Sequence, residues 1–345
     1  MKMGDRVDHL TQEALVYHYS RSILAFLLGL MLITAIGCTA QSDTAVAPPV
    51  VFPDQTAVLS TAAAWLVANH QNDDGGYSSF SGGANLADSD PGGTVDALLA
   101  LAAARNPGID APLAYLRDHV DQLADFAAFS GGSGGKTLLA LTAAGEDPFN
   151  FMGYDFVAIL TGQLAATGQF NAETPFEQSL ALLGLAAVNE AAPEAAVAWL
   201  KAQQTGSGAW GDGFGTDENA DATGMAIMAH VASGEPANSE TLTRAAGWLA
   251  ASQLANAGWE YGPGYGSNAS STALILQALS ALGEDFYSGD SSWAKNGQTP
   301  LSALLSYRSE SGAFQVDFGS GPFDDFFTTV QAAPALTGRP YPIQQ

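Results

Sequence analysis

The side chains best suited to chemistry in this chain are carboxylates and aromatic rings standing around the starts of long Ala/Leu-rich segments. Tyr77, Phe80, Asp88 and Asp90 lead into the segment anchored at Thr94, and Phe214, Asp217, Glu218 and Asp221 into the one at Thr223. Tyr261, Tyr265 and Asn268 lead to Thr272, and Phe318, Phe323, Asp324 and Asp325 to Thr329. A carboxyl in such a place can serve as a general acid or base if its surroundings tune its proton affinity toward the working pH. Aromatic faces combined with a few polar groups suit an amphiphilic, sugar-like or cationic small molecule. The candidate ligand-binding set is Tyr77, Asp88, Asp90, Phe214, Asp217, Asp221, Tyr261, Tyr265, Phe323 and Asp324. No residue is assigned a catalytic role; Asp88 and Asp90 come nearest to one.

Other chemistries find little support. Beyond the N-terminal segment the only histidines are His70, His119 and His230, and Cys38 is the only cysteine. A zinc site of Asp, Cys and His cannot be assembled from these, and no internal disulfide can form. The stretch 212–221 is acidic enough to suggest calcium, but its spacing matches no EF-hand loop. No cofactor is therefore expected. The run Ser130-Gly-Gly-Ser133-Gly-Gly135-Lys136-Thr137 contains both a Gly-x-Ser-x-Gly pattern and the end of a phosphate-loop pattern. Neither follows a strand, as the mechanics of those motifs require, so the run reads as a Gly-rich turn entering a helix.

The elements that must position these residues repeat along the chain. Ala/Leu-rich segments anchored at Thr94, Thr137, Ser179, Thr223, Thr272 and Thr329 are separated by 43, 42, 44, 49 and 57 residues. Such a period signals stacked supersecondary units. Each anchor is preceded by a second helical segment, marked by Trp65-Leu66, Tyr115-Leu116, Trp199-Leu200, Trp248-Leu249 and Leu304-Leu305, with Val157 to Leu160 in the third repeat. The anchored segments are apolar nearly all round and must be buried on every side, whereas the others carry Arg117, Lys201 and Arg244 on a wet face. The expected fold is all-α: an (α/α)6 toroid of six helical hairpins with an inner and an outer ring, and little or no sheet. Each Thr or Ser anchor is expected to cap its inner helix.

The fourth repeat reads Trp199-Leu200, Gln204, Gly208, Trp210; the fifth reads Trp248-Leu249, Gln253, Trp259; the first reads Trp65-Leu66, Gln71, Gly75, Tyr77. These stretches resemble the Gln-Trp repeats of the terpenoid cyclase and protein prenyltransferase superfamily. The stretch from Thr328 to Tyr341 resembles the last toroid helix of cobalamin carriers such as intrinsic factor and transcobalamin. The resemblance covers nearly all of residues 55–345 and implies the toroid, not one activity. It implies that the Gln and aromatic residues staple turns to helices. In squalene-type cyclases an Asp-x-Asp-Asp acid protonates the substrate; here Asp88-Ser89-Asp90-Pro91 has Pro91 in the last position, and no Asp-Asp-x-x-Asp diphosphate motif occurs. The β-rich second domain of the carriers has no counterpart in residues 55–345.

The N-terminus carries a charged stretch ending at Arg21, an apolar run from Ile23 to Gly37, and then Cys38. The run is short for a bilayer span and suits a signal peptide. Ala35-Ile36-Gly37-Cys38 resembles a bacterial lipobox, which implies lipidation of Cys38. The expected organisation is a lipoprotein signal over 1–38, a flexible tether over 39–54 and the toroid over 55–345, in an extracytoplasmic, membrane-anchored monomer. Net charge is −24, and three basic and three acidic residues cancel within 1–37. That acidity argues against a nucleic-acid partner. The functional expectation is a ligand-binding or interaction module lacking the catalytic motifs of its relatives. The alternatives are a divergent enzyme, either cyclase-like or acting on polysaccharide with rim carboxylates, and a cobalamin or small-molecule carrier.

Overall fold

The computed structural model describes residues 51–80, 82–212 and 218–343. Cys38, Phe214 and Asp217 lie outside the described residues, as does all of the expected signal segment. Six long helices carry the anchor residues: α2 (Pro91–Ala103), α5 (Gly131–Ala143), α7 (Pro175–Ala187), α9 (Ala220–Ala232), α11 (Ala269–Leu282) and α13 (Phe326–Ala335). Each packs on the next, and α13 packs back on α2, so the six close a ring. Outside it lie α1 (Thr56–His70), α3 (Asp110–Asp118), α6 (Phe156–Thr161), α8 (Glu194–Ala202), α10 (Glu240–Ser252) and α12 (Pro300–Leu305). A further helix, α4 (Val120–Phe129), sits in the second repeat against α5 and α6. The only strands among the described residues are β1 (Gln315–Val316) and β2 (Phe323–Asp324), paired antiparallel with Gln315 opposite Asp324. The expected all-α toroid is what the chain forms.

Inner-helix composition explains its placement. In α2 every residue except Pro91 and Asp96 is buried, as an all-round apolar helix with two flanking helices and an outer layer must be. Outer helices such as α8 and α10 bury one stripe only.

The anchor hydroxyls, however, do not cap these helices. The caps are Asp90, Ser130, Thr174, Asn219, Asn268 and Asp325, each side chain accepting a backbone N–H of the first turn. The anchors stand inside the helix, one turn further on in most repeats. There they hold the incoming chain. Thr94, Thr223, Thr272 and Thr329 accept the backbone N–H of Tyr77, Trp210, Trp259 and Phe314 at 3.0, 3.0, 3.1 and 2.9 Å. The carbonyls of the same four aromatic residues accept the N–H of the cap residue at 2.9, 3.0, 3.0 and 3.1 Å. In the third repeat Gln178 takes the corresponding N–H of Phe170 at 3.1 Å.

The stapling implied by the Gln-Trp resemblance is visible in full. Gln204 Nε2 donates to Gly208 O in its own turn and to Thr241 O at the start of the next outer helix; Gln253 does the same to Ala257 and Trp293. The indoles of Trp210 and Trp259 donate to Leu200 O and Leu249 O. Both rings are wholly buried.

Two glycines mark where backbone meets backbone. Gly208 has φ +105° and a Cβ there would lie 2.6 Å from Arg244 O of the next outer helix. Gly135 allows α5 to press on α7, since its Cβ would lie 2.1 Å from Leu180 O. The Gly-rich run is thus the opening of α5 itself, capped by Ser130, rather than a turn before it.

Two substitutions test this account. Gly208→Ala should cost at least about 2 kcal/mol, from left-handed strain plus overpacking. Thr223→Val, which strands the Trp210 N–H, should cost about 1–3 kcal/mol. Urea denaturation of the domain reads both; no loss in either would remove the anchor and the turn from the structural account.

Candidate functional site

In four of the six repeats a stretch of chain separates the clamped aromatic from the helix cap, residues 78–89, 211–218, 260–267 and 315–324, of which 81 and 213–217 lie outside the described residues; each is closed at the neck by the bonds just described. They belong to the first, fourth, fifth and sixth repeats, which are contiguous in the ring, so their necks stand as an arc at the N-terminal ends of α9, α11, α13 and α2. In the second repeat α4 ends one residue before α5 begins, with Ser130 between them, so no loop rises there.

The candidate residues occupy this arc unevenly. Tyr77 is wholly buried, stacked on Phe326 at 6.0 Å, and burial pushes its phenol far up. It is a core residue with no face for a ligand. Asp90 is committed to architecture: its carboxylate accepts from Ser79 N–H and Ser79 Oγ, both at 2.6 Å, and from Gly93 N–H at 2.9 Å. Asp88 is exposed beside a shallow hollow of about 300 Å³ whose polar groups largely bond one another. Asp324 accepts from Ser311 and Gln315. Burial raises its proton affinity, but the bonds from Ser311, Ser309 and Gln315 hold it below its ordinary value. Phe323 is half exposed, against the exposed ring of Phe318 at 5.9 Å.

The structure does bring Asp221, Tyr261 and Tyr265 together. Asp221 lies in the first turn of α9, and the preceding Ala220 N–H donates to Tyr261 O across the repeat boundary at 3.1 Å. Tyr261 donates its hydroxyl to Asp212, and the ring of Tyr265 meets that of Tyr261 edge-on at 5.6 Å. Tyr265 is 69% exposed, so one aromatic face is open to solvent above the acids. Asp221 Oδ1 is sealed from solvent and has no hydrogen-bond partner, as is Nδ2 of the cap residue Asn219. Burial pushes the Asp221 carboxyl up from 3.8 to about 6; the Ser271 hydroxyl pulls it down and the Asp212 charge adds to the rise. Burial, then the bond to Asp212 and the charges of Asp212 and Asp221, push the Tyr261 phenol well above its ordinary range. The cluster therefore sets a carboxyl that keeps its proton to near neutrality beside a second carboxyl that accepts from a phenol.

Asp212 and Ser271 have no local signature for the site; the packing of α9 on α11 brings the fourth and fifth repeats together there. Glu218, in the same loop, accepts from Ser207 Oγ at 2.6 Å and the Trp248 indole at 3.2 Å and serves the fold.

Inside the ring, an inner helix flanked by two neighbours and an outer layer can show residual exposure only toward the axis or the ends. Asp96 and Lys136 do so and pair at 2.8 Å across α2 and α5. Three or four residues along the same faces as Asp96, Asp221 and Ser270 stand Leu99, Met225 and Leu274, exposed by 6%, 1% and 4%. At the far end, residues 336–343 cross the ring: Ser280 Oγ donates to Gly338 O at 2.8 Å, and Tyr341 and Ile343 are buried.

Among the described residues no group of three or more His, Cys, Asp or Glu is gathered to hold a metal ion. His70 and His230 are buried against Trp65 and Trp210, and burial lowers the proton affinity of each. No helix among the described residues is long and apolar enough to cross a membrane.

A closed ring of six inner helices, ringed by an outer layer, is an (α/α)6 toroid. The type II terpene cyclase MstE from Scytonema superposes with TM-score 0.60 at 16% identity, over 82% of this chain and 97% of that one. A protein from Actinoplanes gives 0.55 at 14% identity, over 83% and 98%. An inactive variant of the α-1,6-mannanase GH76A of Salegentibacter sp. HEL1_6, in complex with α-1,6-mannotriose, gives 0.55 at 10% identity, over 83% and 99%. No protein-family model matches the chain, and no curated protein matches it. These likenesses show the fold.

The proton on Asp221 makes a stability prediction. Below about pH 4 the carboxyl is protonated folded or unfolded, and its burial carries no ionisation penalty. As pH rises toward the folded value of about 6, only the unfolded chain gives up its proton, so stability falls; above that value the penalty is on the order of 3 kcal/mol. Asp221→Asn should therefore stabilise the domain at about pH 7.5 and change little at about pH 4, as measured by urea denaturation. Equal effects at both values would show that Asp221 is not held protonated.

Proposed function

We propose that the cluster of Asp212, Asp221, Tyr261 and Tyr265 binds a sugar-like, hydroxyl-rich ligand. The carrying observation is the Tyr261–Asp212 hydrogen bond beside the exposed ring of Tyr265. Carboxyl groups and two phenols offer both donors and acceptors, as vicinal hydroxyls require, and an aromatic face suits the apolar side of a sugar ring. A polyprenyl chain fits less well, because Asp90 is spent on a helix cap. On this reading the protein is a binding module, held at the outside of a membrane by a lipid on Cys38.

A second reading has one observation in its favour. A carboxyl whose proton affinity is raised to about 6 beside a second carboxylate is the arrangement of acid and base in glycoside hydrolysis. Asp221 would protonate the leaving oxygen and Asp212 would act as base or nucleophile. The same toroid in a mannanase is compatible with this and is fold-level support only.

Titration calorimetry with α-1,6-mannotriose as probe, together with a reducing-end assay, separates the readings. Binding without turnover, weakened about tenfold or more by Asp221→Asn or Tyr265→Ala, supports the module. Turnover abolished by Asp221→Asn and Asp212→Asn supports the hydrolase. No binding of this or other oligosaccharides, with all variants folded, would remove the site.

A further inference from the structure

At the opposite end of the ring, where α2 and α13 finish, lies a cavity of about 540 Å³, within the range of small-molecule sites. Its apolar lining includes Phe52, Leu59, Leu336 and Ile343; the last three are 8%, 1% and 7% exposed. The Phe52 wall is built in place. Its ring packs against Phe286 at 5.7 Å and edge-on against Tyr287 at 5.3 Å, and it lies so close over Gly338 that a Cβ there would meet it at 2.6 Å.

Two arginines, Arg105 and Arg339, line the same cavity. Cations are scarce in this chain, with 11 Lys and Arg against 35 Asp and Glu, and the fold uses nearly all of those described. Arg117, Lys136 and Lys201 pair with carboxylates. Arg244, Lys295 and Arg308 donate to backbone or side-chain oxygens. Arg105 alone among the described cations does neither. It stands in the left-handed position that ends α2, at φ +50°, where its N–H closes the helix on Ala102 O. One carboxylate, Asp54, also lines the cavity, and it is already engaged by Thr56 N–H and Oγ1. The side-chain charge around the cavity sums to +1 in a chain of −24.

We propose that this cavity binds a single-chain anionic amphiphile of the long-chain carboxylate class. The chain lies on the surface of Phe52, Leu59, Leu336 and Ile343, and the carboxylate sits between Arg105 and Arg339, whose planar forks match its two oxygens. The apolar area covered supplies most of the affinity, and the guanidiniums select the anion over a neutral chain. The site is separate from the rim cluster and stands or falls independently of the sugar-binding reading.

The test is titration of dodecanoate and of dodecanol into the folded domain, followed by calorimetry and by thermal denaturation. Expected are one-to-one saturable binding of dodecanoate, a raised melting temperature, and binding of dodecanol at least tenfold weaker. Arg105→Ala with Arg339→Ala should weaken dodecanoate at least tenfold and leave dodecanol unchanged. Ala103→Phe, which fills the cavity and keeps both arginines, should abolish binding of both, whereas Asp221→Asn should leave both intact. Absence of saturable dodecanoate binding to a folded domain would overturn the proposal. So would equal binding of the two probes, or an arginine double variant that folds and binds dodecanoate as before.

Discussion

The structure depends on a clamp at the start of the inner helices. In four repeats a threonine hydroxyl inside the helix takes the N–H of an incoming aromatic residue while that residue's carbonyl takes the N–H of the helix cap. Each exchange satisfies donors and an acceptor that would otherwise be buried unpaired, and an orphaned buried group costs more than a typical bond gains. Because the aromatic side chain then fills the space between outer and inner helix, one local arrangement fixes both backbone and core. Repeated around the ring, it makes each unit hold its neighbour, with Gln204 and Gln253 reaching to the next outer layer.

The clamp also separates fold from function. Residues between the aromatic residue and the cap are less bound to the fold, since the two ends of the loop are already tied together, although Ser79, Glu218 and the Tyr261 carbonyl still serve it. The stretches that hold Asp212, Tyr261 and Tyr265 can therefore vary more than the clamp can. Asp90, by contrast, stands on the clamp itself as the cap residue, and an acid in that place is held by Ser79 and Gly93. Asp221 stands two residues past the cap Asn219, inside the first turn of α9, and is buried without that cap role, which is why Asp90 and Asp221 differ.

Much of this was legible in the sequence because the constraint is periodic. Thr anchors, Trp-Leu pairs and Gln-Gly-aromatic turns recur, and all-round apolar segments can sit only in an inner ring. What misled was residue type: Thr is a good cap, so capping was the natural role, yet Asp90, Asn219, Asn268 and Asp325 are equally good caps and stand four residues earlier. Tyr77 was grouped with the rim because nothing in the sequence distinguishes an aromatic residue at the neck of a loop from one at its tip. The partnership of Asp212 with Tyr261, the Asp96–Lys136 pair and the cavity between Phe52 and Ile343 join residues far apart in the chain. None has a local signature: the first two follow from neighbouring inner helices packing side by side, and the third from the end of the chain returning to its first helix.

Closing the ring around an axis of apolar side chains has a consequence for where ligands can act. Gly135 lets α5 and α7 approach backbone to backbone, and Leu99, Met225 and Leu274 are buried. An interior packed in this way yields only at the cost of cavities or overpacking, so it resists opening around a guest. The two ends face no such constraint, and they differ in chemistry. At one end acids and exposed tyrosine crown the starts of the inner helices. At the other, apolar side chains and two arginines cover their finish, the end where helix carbonyls point outward and a free cation such as Arg105 is electrostatically at home. The distribution of the chain's few positive charges thus follows the polarity of the inner ring. The same polarity disfavours a bare anion at that end, so the carboxylate proposed there would depend on the charge of Arg105 and Arg339.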